Sequence, residues 1–149
     1  MANEKTFDIL NELIQTSHDA HNGFREAAEN VQDPELRTFF MQQSEERARF
    51  ASELEREAEG FGAKEPERGG TVAAAAHRAW MDIKASLGAG ETGILESVER
   101  GEDSAKETYE KALREPLPEG IAGIVRRQAQ SVFSAHDRAK ALRDIRKAA

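Results

Sequence analysis

Apolar residues recur along this chain every three or four positions, the spacing of helices that bury one face. In the stretch 93–113 this apolar row is interrupted once, by a carboxylate. A glutamate inside such a row needs a cation, a metal ion or several hydrogen-bond donors around it. The pattern therefore predicts a helix and a polar point in the protein interior. The row consists of Leu95, Val98, Glu102, Ala105, Tyr109 and Ala112.

Four further stretches have the same helical spacing and carry helix start and stop signals. Asp33 followed by Pro34 marks a helix start, because aspartate caps free N–H groups and proline suits the first helical position. Gly60 or Gly62 ends one helix and Gly88 another. The predicted helices cover about 4–31, 34–59, 72–87, 92–114 and 118–147.

The order of these helices predicts the fold class. The short turns near residues 32 and 117 make two antiparallel hairpins, and a long crossover with a short extra helix joins them. An all-α, ferritin-like antiparallel four-helix bundle has this arrangement. At 149 residues the whole chain, 1–149, is expected to be a single domain.

Composition narrows the classes of function. With 4 prolines and 33% charged residues, the chain suits helices with wide solvated faces. The absence of cysteine excludes disulfides, thiolate metal sites and cysteine nucleophiles. A net charge of −7 argues against nucleic acid as a partner.

The N-terminal sequence has no signal-peptide pattern, and no apolar run is long enough to cross a membrane. We therefore expect a cytoplasmic protein without a membrane partner. The sequence leaves homo-oligomerisation open and defines no protein partner.

Polar residues interrupt the apolar rows of all four long helices at a similar depth. Counted from the nearer hairpin turn, at about 1.5 Å per residue, these positions fall within about two helical turns of one another. This is the depth at which a ferritin-like bundle holds its metal site. The predicted polar layer consists of Ser17, His21, Gln43, Arg47, Glu102 and Gln128.

Seven segments that cover nearly the whole chain carry a family resemblance: LNELIQT, GFREAAENV, DPELRTFF, AHRAWMDIK, ERGEDSA, PLPEGI and AHDRAKALRD. In these segments the chain resembles a bacterial family of four-helix-bundle proteins of unassigned function in the ferritin-like superfamily. The resemblance implies a fold and no agreed activity.

The chain departs from the ligand pattern of di-iron proteins. Their sites use a Glu from each of two helices and a Glu-x-x-His from each of the other two. No Glu-x-x-His occurs here, and Glu46 is followed three residues later by Arg49. Glu102 is retained, but if Phe24 corresponds to Tyr109 its partner position is Ser17. We therefore expect no cofactor and no dinuclear oxidase or ferroxidase activity, and a non-catalytic role is favoured over an enzymatic one.

Arg47 is the expected replacement for a metal ion. Its guanidinium can pair with Glu102 and accommodate Gln43 and Gln128 as further neighbours. The function we expect is that of a non-catalytic bundle acting through protein or ligand interactions, with a stress-related role suggested only by fold analogy.

Two alternatives remain open. The first is a protein that binds iron or zinc at a weak or mononuclear site. The second is a binder of a small ligand between the bundle and the crossover helix, which carries His77 and Trp80. The candidate metal ligands are Glu102, His21, Glu46 and His136.

Overall fold

The structure is a computed structural model, and it describes residues 2–60 and 77–148 apart from 82 and 84. The loop expected over 61–70 and the first part of the predicted helix 72–87 lie outside the described residues. Of that predicted helix, residues 77–81, 83 and 85 are helical.

The described elements are helical, and the fold is all-α. Their bounds lie within two residues of the long helices predicted from periodicity and capping signals. A short 3-10 turn, Leu87–Ala89, precedes the third long helix. The long helices are α1 (Ala2–Glu29), α2 (Pro34–Gly60), α3 (Gly90–Leu113) and α4 (Glu119–Ala148).

The long helices pack as two antiparallel pairs. Short turns join α1 to α2 and α3 to α4, and each pair is in contact along its length. Contacts of α1 with α3 and of α2 with α4 bring the pairs together. The core lies between the four helices and includes Leu10, Phe24, Phe40, Leu54, Leu95 and Val125, all fully buried. Within the described ranges, none of the helices has both the length and the apolar character required to span a membrane.

The turn between α1 and α2 is held by two residues of the second hairpin, one from each of its helices. The Glu91 carboxylate, at the start of α3, accepts N–H groups of Gln32 at 2.6 Å and Asp33 at 3.0 Å. Arg146, near the end of α4, donates to Asp33 Oδ2 at 2.6 Å and to Glu91 Oε1 at 3.4 Å. The backbone N–H groups of Asp33 and Gln32 lower the pKa of Glu91, and Arg146 adds to this effect. Glu91 thus joins, in its charged form, the α1–α2 turn to the start of α3 and the end of α4.

The indole of Trp80 lies in a slot made by two glycines on different helices. A Cβ built at Gly23 of α1 would stand 2.4 Å from Cε3 of Trp80, and one at Gly101 of α3 would stand 2.6 Å from Cδ2. Real Cβ atoms do not approach this closely, so both positions need glycine. The ring also packs on Phe24, with 5.1 Å between centroids. The indole of Trp80 therefore packs the chain before α3 against a helix of each hairpin.

Replacing Gly23 with alanine should destabilise the protein by about 1–3 kcal/mol, because the new methyl group overlaps the indole. Trp80 is the only tryptophan, so its fluorescence should also shift toward that of a more exposed indole. Gly123→Ala is the matched control. Nothing lies within 4 Å of its added Cβ, and it should stabilise α4 by roughly 0.5–1 kcal/mol. Equal stability of the two variants in urea would contradict the slot.

Glu91→Gln should make stability depend less steeply on acid pH. A carboxylate whose pKa is lowered by folding stabilises the native state above its unfolded pKa, about 4.3, and this contribution is lost as the pH falls through the lower folded value. Wild type should therefore be the more stable protein at pH 7, and the difference should disappear in strong acid. Urea unfolding between pH 2 and pH 7 measures this, and a difference that persists unchanged at pH 2 would refute it.

Candidate functional site

A bidentate ion pair joins α2 to α3 inside the core. The Nη1 and Nη2 atoms of Arg47 lie 2.7 Å from Oε1 and 2.7 Å from Oε2 of Glu102. The Arg47 side chain is 1% exposed and that of Glu102 is 0% exposed. Burial alone would lower the pKa of Arg47, but the charge of Glu102 raises it above its ordinary value. The buried guanidinium is therefore held in its charged form, and the Glu102 carboxylate is its hydrogen-bonded partner.

The surroundings of the guanidinium are aromatic on one side. The Cζ of Arg47 stands 5.3 Å from the centroid of Phe24, within the range of a cation–π contact. Its Nε is buried and has no hydrogen-bond partner among the residues that the structure describes. The carboxylate thus accounts for the hydrogen bonds of this guanidinium in the described structure.

Helical periodicity explains why two charged residues face the core. Arg47 and Glu102 occupy the positions at which the buried rows of α2 and α3 would continue. The row of buried residues along α2 differs from the row predicted from the sequence in which of two neighbouring residues faces the core. Ser44, at 3% exposure, is buried, whereas Gln43 lies half-buried at its side.

A second set of hydrogen-bonded side chains joins α3 to α4. The Tyr109 hydroxyl donates to Gln128 Oε1 at 2.7 Å, and Gln128 Nε2 donates to Glu53 Oε1 at 2.8 Å. Burial raises the pKa of Tyr109 to about 12, so the phenol remains protonated and acts as a donor. We expected both Gln43 and Gln128 to neighbour Arg47. The described hydrogen bonds of Gln128 go instead to Tyr109, Glu53 and the carbonyl oxygen of Phe50.

The two residues of the predicted polar layer on α1, His21 and Ser17, lie against different partners. His21 Nδ1 lies 2.8 Å from the carbonyl oxygen of Ser44, and the Ser44 hydroxyl donates to the carbonyl oxygen of His21 at 2.9 Å. These contacts hold α1 against α2. Ser17 is buried at 1% exposure and lies beside Tyr109.

The four residues considered as metal ligands take part in four separate contacts. Glu102 pairs with Arg47 and His21 with Ser44, as described above. Glu46 accepts the hydroxyl of Ser131. His136 Nε2 lies 2.5 Å from Asp103 Oδ1, and its Nδ1 lies 3.1 Å from Asp137 Oδ1.

Burial alone would lower the pKa of His136, but its hydrogen bonds to Asp137 and Asp103 outweigh this and raise it. A raised pKa favours the imidazolium, which is a poor metal ligand. Across 2–60 and the described part of 77–148, no three His, Asp or Glu side chains are grouped so that they could hold a metal ion.

The sequence pattern did not single out several residues of these polar contacts, among them Tyr109, Ser44 and Asp103. Tyr109 was assigned to the apolar row of α3, although a tyrosine opposite a buried glutamine signals a hydrogen bond. Ser44 was missed because it lies one position from Gln43. Asp103 was missed because it is exposed, and only the packing of α3 on α4 brings it to His136.

Comparison with known proteins gives a family match without an activity. A family model described as a domain of unknown function (DUF2383) matches residues 5–115. The match covers α1 from residue 5 onward and all of α2 and α3, including both members of the buried ion pair. No curated protein matches the chain.

Removing one member of the ion pair should be much more costly than removing both. Arg47→Met leaves a buried carboxylate unpaired and should lower the free energy of unfolding by about 3 kcal/mol or more, and Glu102→Gln should act similarly. The double variant, Arg47→Met with Glu102→Gln, should lie closer to wild type than either single variant. Urea denaturation of the four proteins measures the coupling.

The exposed pair Lys147 and Glu96 serves as the control, because its Nζ–Oε1 distance of 3.3 Å joins side chains that are 54% and 38% exposed. Lys147→Met should change stability by less than about 1 kcal/mol. Wild-type stability in both core single variants would show that the core pair does not carry the predicted energy.

Proposed function

We propose that this chain, which belongs to the family of the domain of unknown function DUF2383, is a non-catalytic binding protein built on a bacterial, ferritin-like four-helix bundle. In this proposal its single domain acts in the cytoplasm through ligand or protein interactions. An ionic layer stands in its core where ferritin-like enzymes hold iron.

The order and pairing of the helices support the ferritin-like assignment. Two antiparallel pairs, joined by one long connection between α2 and α3, are the topology of that class of bundle. Fold analogy carries no activity, so the argument about function depends on the side chains of the core.

One observation carries the non-catalytic part of the proposal: the fully buried, bidentate pair of Arg47 and Glu102. A di-iron site needs carboxylates and imidazoles that converge on a space for two cations. In this core a guanidinium already occupies both oxygens of the glutamate. To coordinate iron, Glu102 would have to leave Arg47 buried without a counter-ion, which is strongly unfavourable.

The donor set further supports this proposal. His21 is hydrogen-bonded to Ser44, and His136 lies between two aspartates. Moving either imidazole to a metal at Glu102 would break a contact between helices. We infer that the central layer of this bundle stabilises and orients the helices, and that the protein acts through its surface and its clefts.

Metal analysis and iron oxidation test the proposal. Protein purified without a histidine tag should contain no stoichiometric iron or zinc. Titration with Fe(II) in air should give the oxidation rate of buffer alone. Glu102→Gln should behave like wild type in both assays, as should the exposed-carboxylate control Glu110→Gln.

About one or more metal ions per chain, or Fe(II) oxidation, that is lost in Glu102→Gln and kept in Glu110→Gln would overturn the proposal. That result would favour the alternative of a metal-binding ferritin-like protein using Glu102, with His21, Glu46 and His136 as the remaining candidate ligands.

A further inference from the structure

Three arginines line a cleft of about 430 Å³ between α2 and α4. Arg49 and Arg56 belong to α2, and Arg127 comes from α4. The cleft is large enough for a small molecule, because a cavity of about 150 Å³ already admits benzene. This cluster of positive charge lies on a chain whose net charge is −7, so the overall charge of the protein does not explain it.

The three arginine side chains are accessible to a ligand. Arg49 and Arg56 are exposed, and the side chain of Arg127 is 57% exposed. Among the residues that the structure describes, Arg49 and Arg56 have neither an ion-pair nor a hydrogen-bond partner for their side chains. A ligand can therefore contact these guanidinium groups without entering the core and without breaking a described contact.

Helical periodicity places the two arginines of α2 on one face. Positions 49 and 56 are seven residues apart, which is nearly two full turns and about 10 Å along the helix. Ser52 is exposed and lies between them in the same lining. The cleft therefore has donors at two heights along α2, and Arg127 adds donors from the facing helix.

The carboxylate in the lining is already hydrogen-bonded. Glu53 accepts from Arg127 with Oε2, and with Oε1 it accepts from Gln128 Nε2 at 2.8 Å. This carboxylate neutralises one arginine, so the lining keeps the positive charges of Arg49 and Arg56. More distant carboxylates act weakly here, because salt screens charges beyond about 8 Å.

The arrangement of these donors suits phosphoryl groups better than carboxylates. A guanidinium presents its N–H groups as a planar fork that binds two oxygens at once. A phosphoryl group is tetrahedral and carries several strong acceptor oxygens, so it can accept from arginines that approach from two helices. Arginines two turns apart on α2 favour two linked phosphoryl groups over a single one.

The cleft gives an organic group attached to such an anion little to pack against. Phe50 is the large apolar residue of the lining, and it is only 7% exposed. Recognition in this cleft therefore depends on charge and hydrogen bonds.

We propose that the cleft between α2 and α4 binds a small molecule that carries two linked phosphoryl groups. Arg49 and Arg56 donate to phosphoryl oxygens along α2, and Arg127 donates from α4 with the N–H groups that Glu53 does not use. This inference depends on the proposed binding function and gives it a site and a class of ligand.

Calorimetric titration without added metal ions tests the class of ligand with four probes: pyrophosphate, ADP, orthophosphate and the dicarboxylate malonate. Pyrophosphate should bind with a Kd of about 1 mM or tighter at about 0.05 M NaCl. Orthophosphate and malonate should bind roughly tenfold more weakly, because each makes fewer charge-assisted hydrogen bonds. Raising NaCl to about 0.5 M should weaken pyrophosphate binding, because salt screens the exposed arginines.

ADP distinguishes the source of the diphosphate. An affinity similar to that of pyrophosphate would show that the cleft accepts a diphosphate carried by a larger molecule. An affinity more than roughly tenfold weaker would assign the cleft to the free anion.

Three variants locate the interaction. Arg49→Gln and Arg56→Gln remove cations without a described partner, so both proteins should fold like wild type. Each should weaken pyrophosphate binding by roughly three- to tenfold, and the double variant should lose more affinity than either. Arg126→Gln is the matched control. It removes the same charge from an exposed position beside Arg127 but outside the lining, and it should bind pyrophosphate like wild type.

No saturation by pyrophosphate below roughly 10 mM would overturn the site. Unchanged affinity in the double variant would also overturn it. Equal affinities for pyrophosphate and malonate, or the same loss in Arg126→Gln as in Arg49→Gln, would contradict it as well, because each indicates only a general attraction of anions.

These failures are distinct from failure of the proposed function. A protein that neither oxidises iron nor binds pyrophosphate loses only this site. A protein that oxidises iron through Glu102 loses the proposed function whether or not pyrophosphate binds.

Discussion

Two opposite charges removed from water must lie against each other, and this requirement determines how the core can be arranged. The buried pair of Arg47 and Glu102 satisfies it with two hydrogen bonds of 2.7 Å. Because each residue comes from a different hairpin, the pair fixes the height of α2 relative to α3. Any slide of one hairpin along the other would separate the charges in a medium where separation is very unfavourable.

The remaining contacts between the hairpins fit this fixed height. Tyr109 and Gln128 hydrogen-bond within the second hairpin, and Gln128 reaches Glu53 on the first. Trp80 packs into the glycine slot that spans α1 and α3. One side of the slot belongs to each hairpin, so the indole fits only when the hairpins are in register. The charge pairing of the core and the packing of Trp80 therefore require the same arrangement of helices.

Buried charges are hydrogen-bonded to different extents in the centre of the protein and beside residues 77–83. In the centre, each buried charge has a protein partner, which leaves little reason for a ligand to enter. Beside residues 77–83, Asp19 is nearly as buried but is only partly hydrogen-bonded. The pairing of buried charge is therefore complete for Arg47 and Glu102 in the core and incomplete for Asp19 beside residues 77–83.

The sequence by itself determined the long helices and the presence of charge in the core. Periodicity, the Asp33–Pro34 start and the terminal glycines act within a few residues, so the helix bounds could be predicted to within two positions. Arg47 and Glu102 each lie about 15 residues from a hairpin turn, which is near the middle of helices of 27 and 24 residues. The two turns lie at opposite ends of the bundle, because Glu91 and Arg146 contact the α1–α2 turn, and two positions near mid-helix still meet at a similar height.

Beyond the expected pairing of Arg47 with Glu102, only the tertiary structure decided which side chains meet. Neighbouring helix positions differ by about 100° of rotation, so periodicity could not choose between Gln43 and Ser44 for the buried face. The contacts of Asp19 with His77 and of Asp103 with His136 join residues far apart in the chain. No local pattern encodes such pairs, because they depend on how the helices pack and rotate against one another.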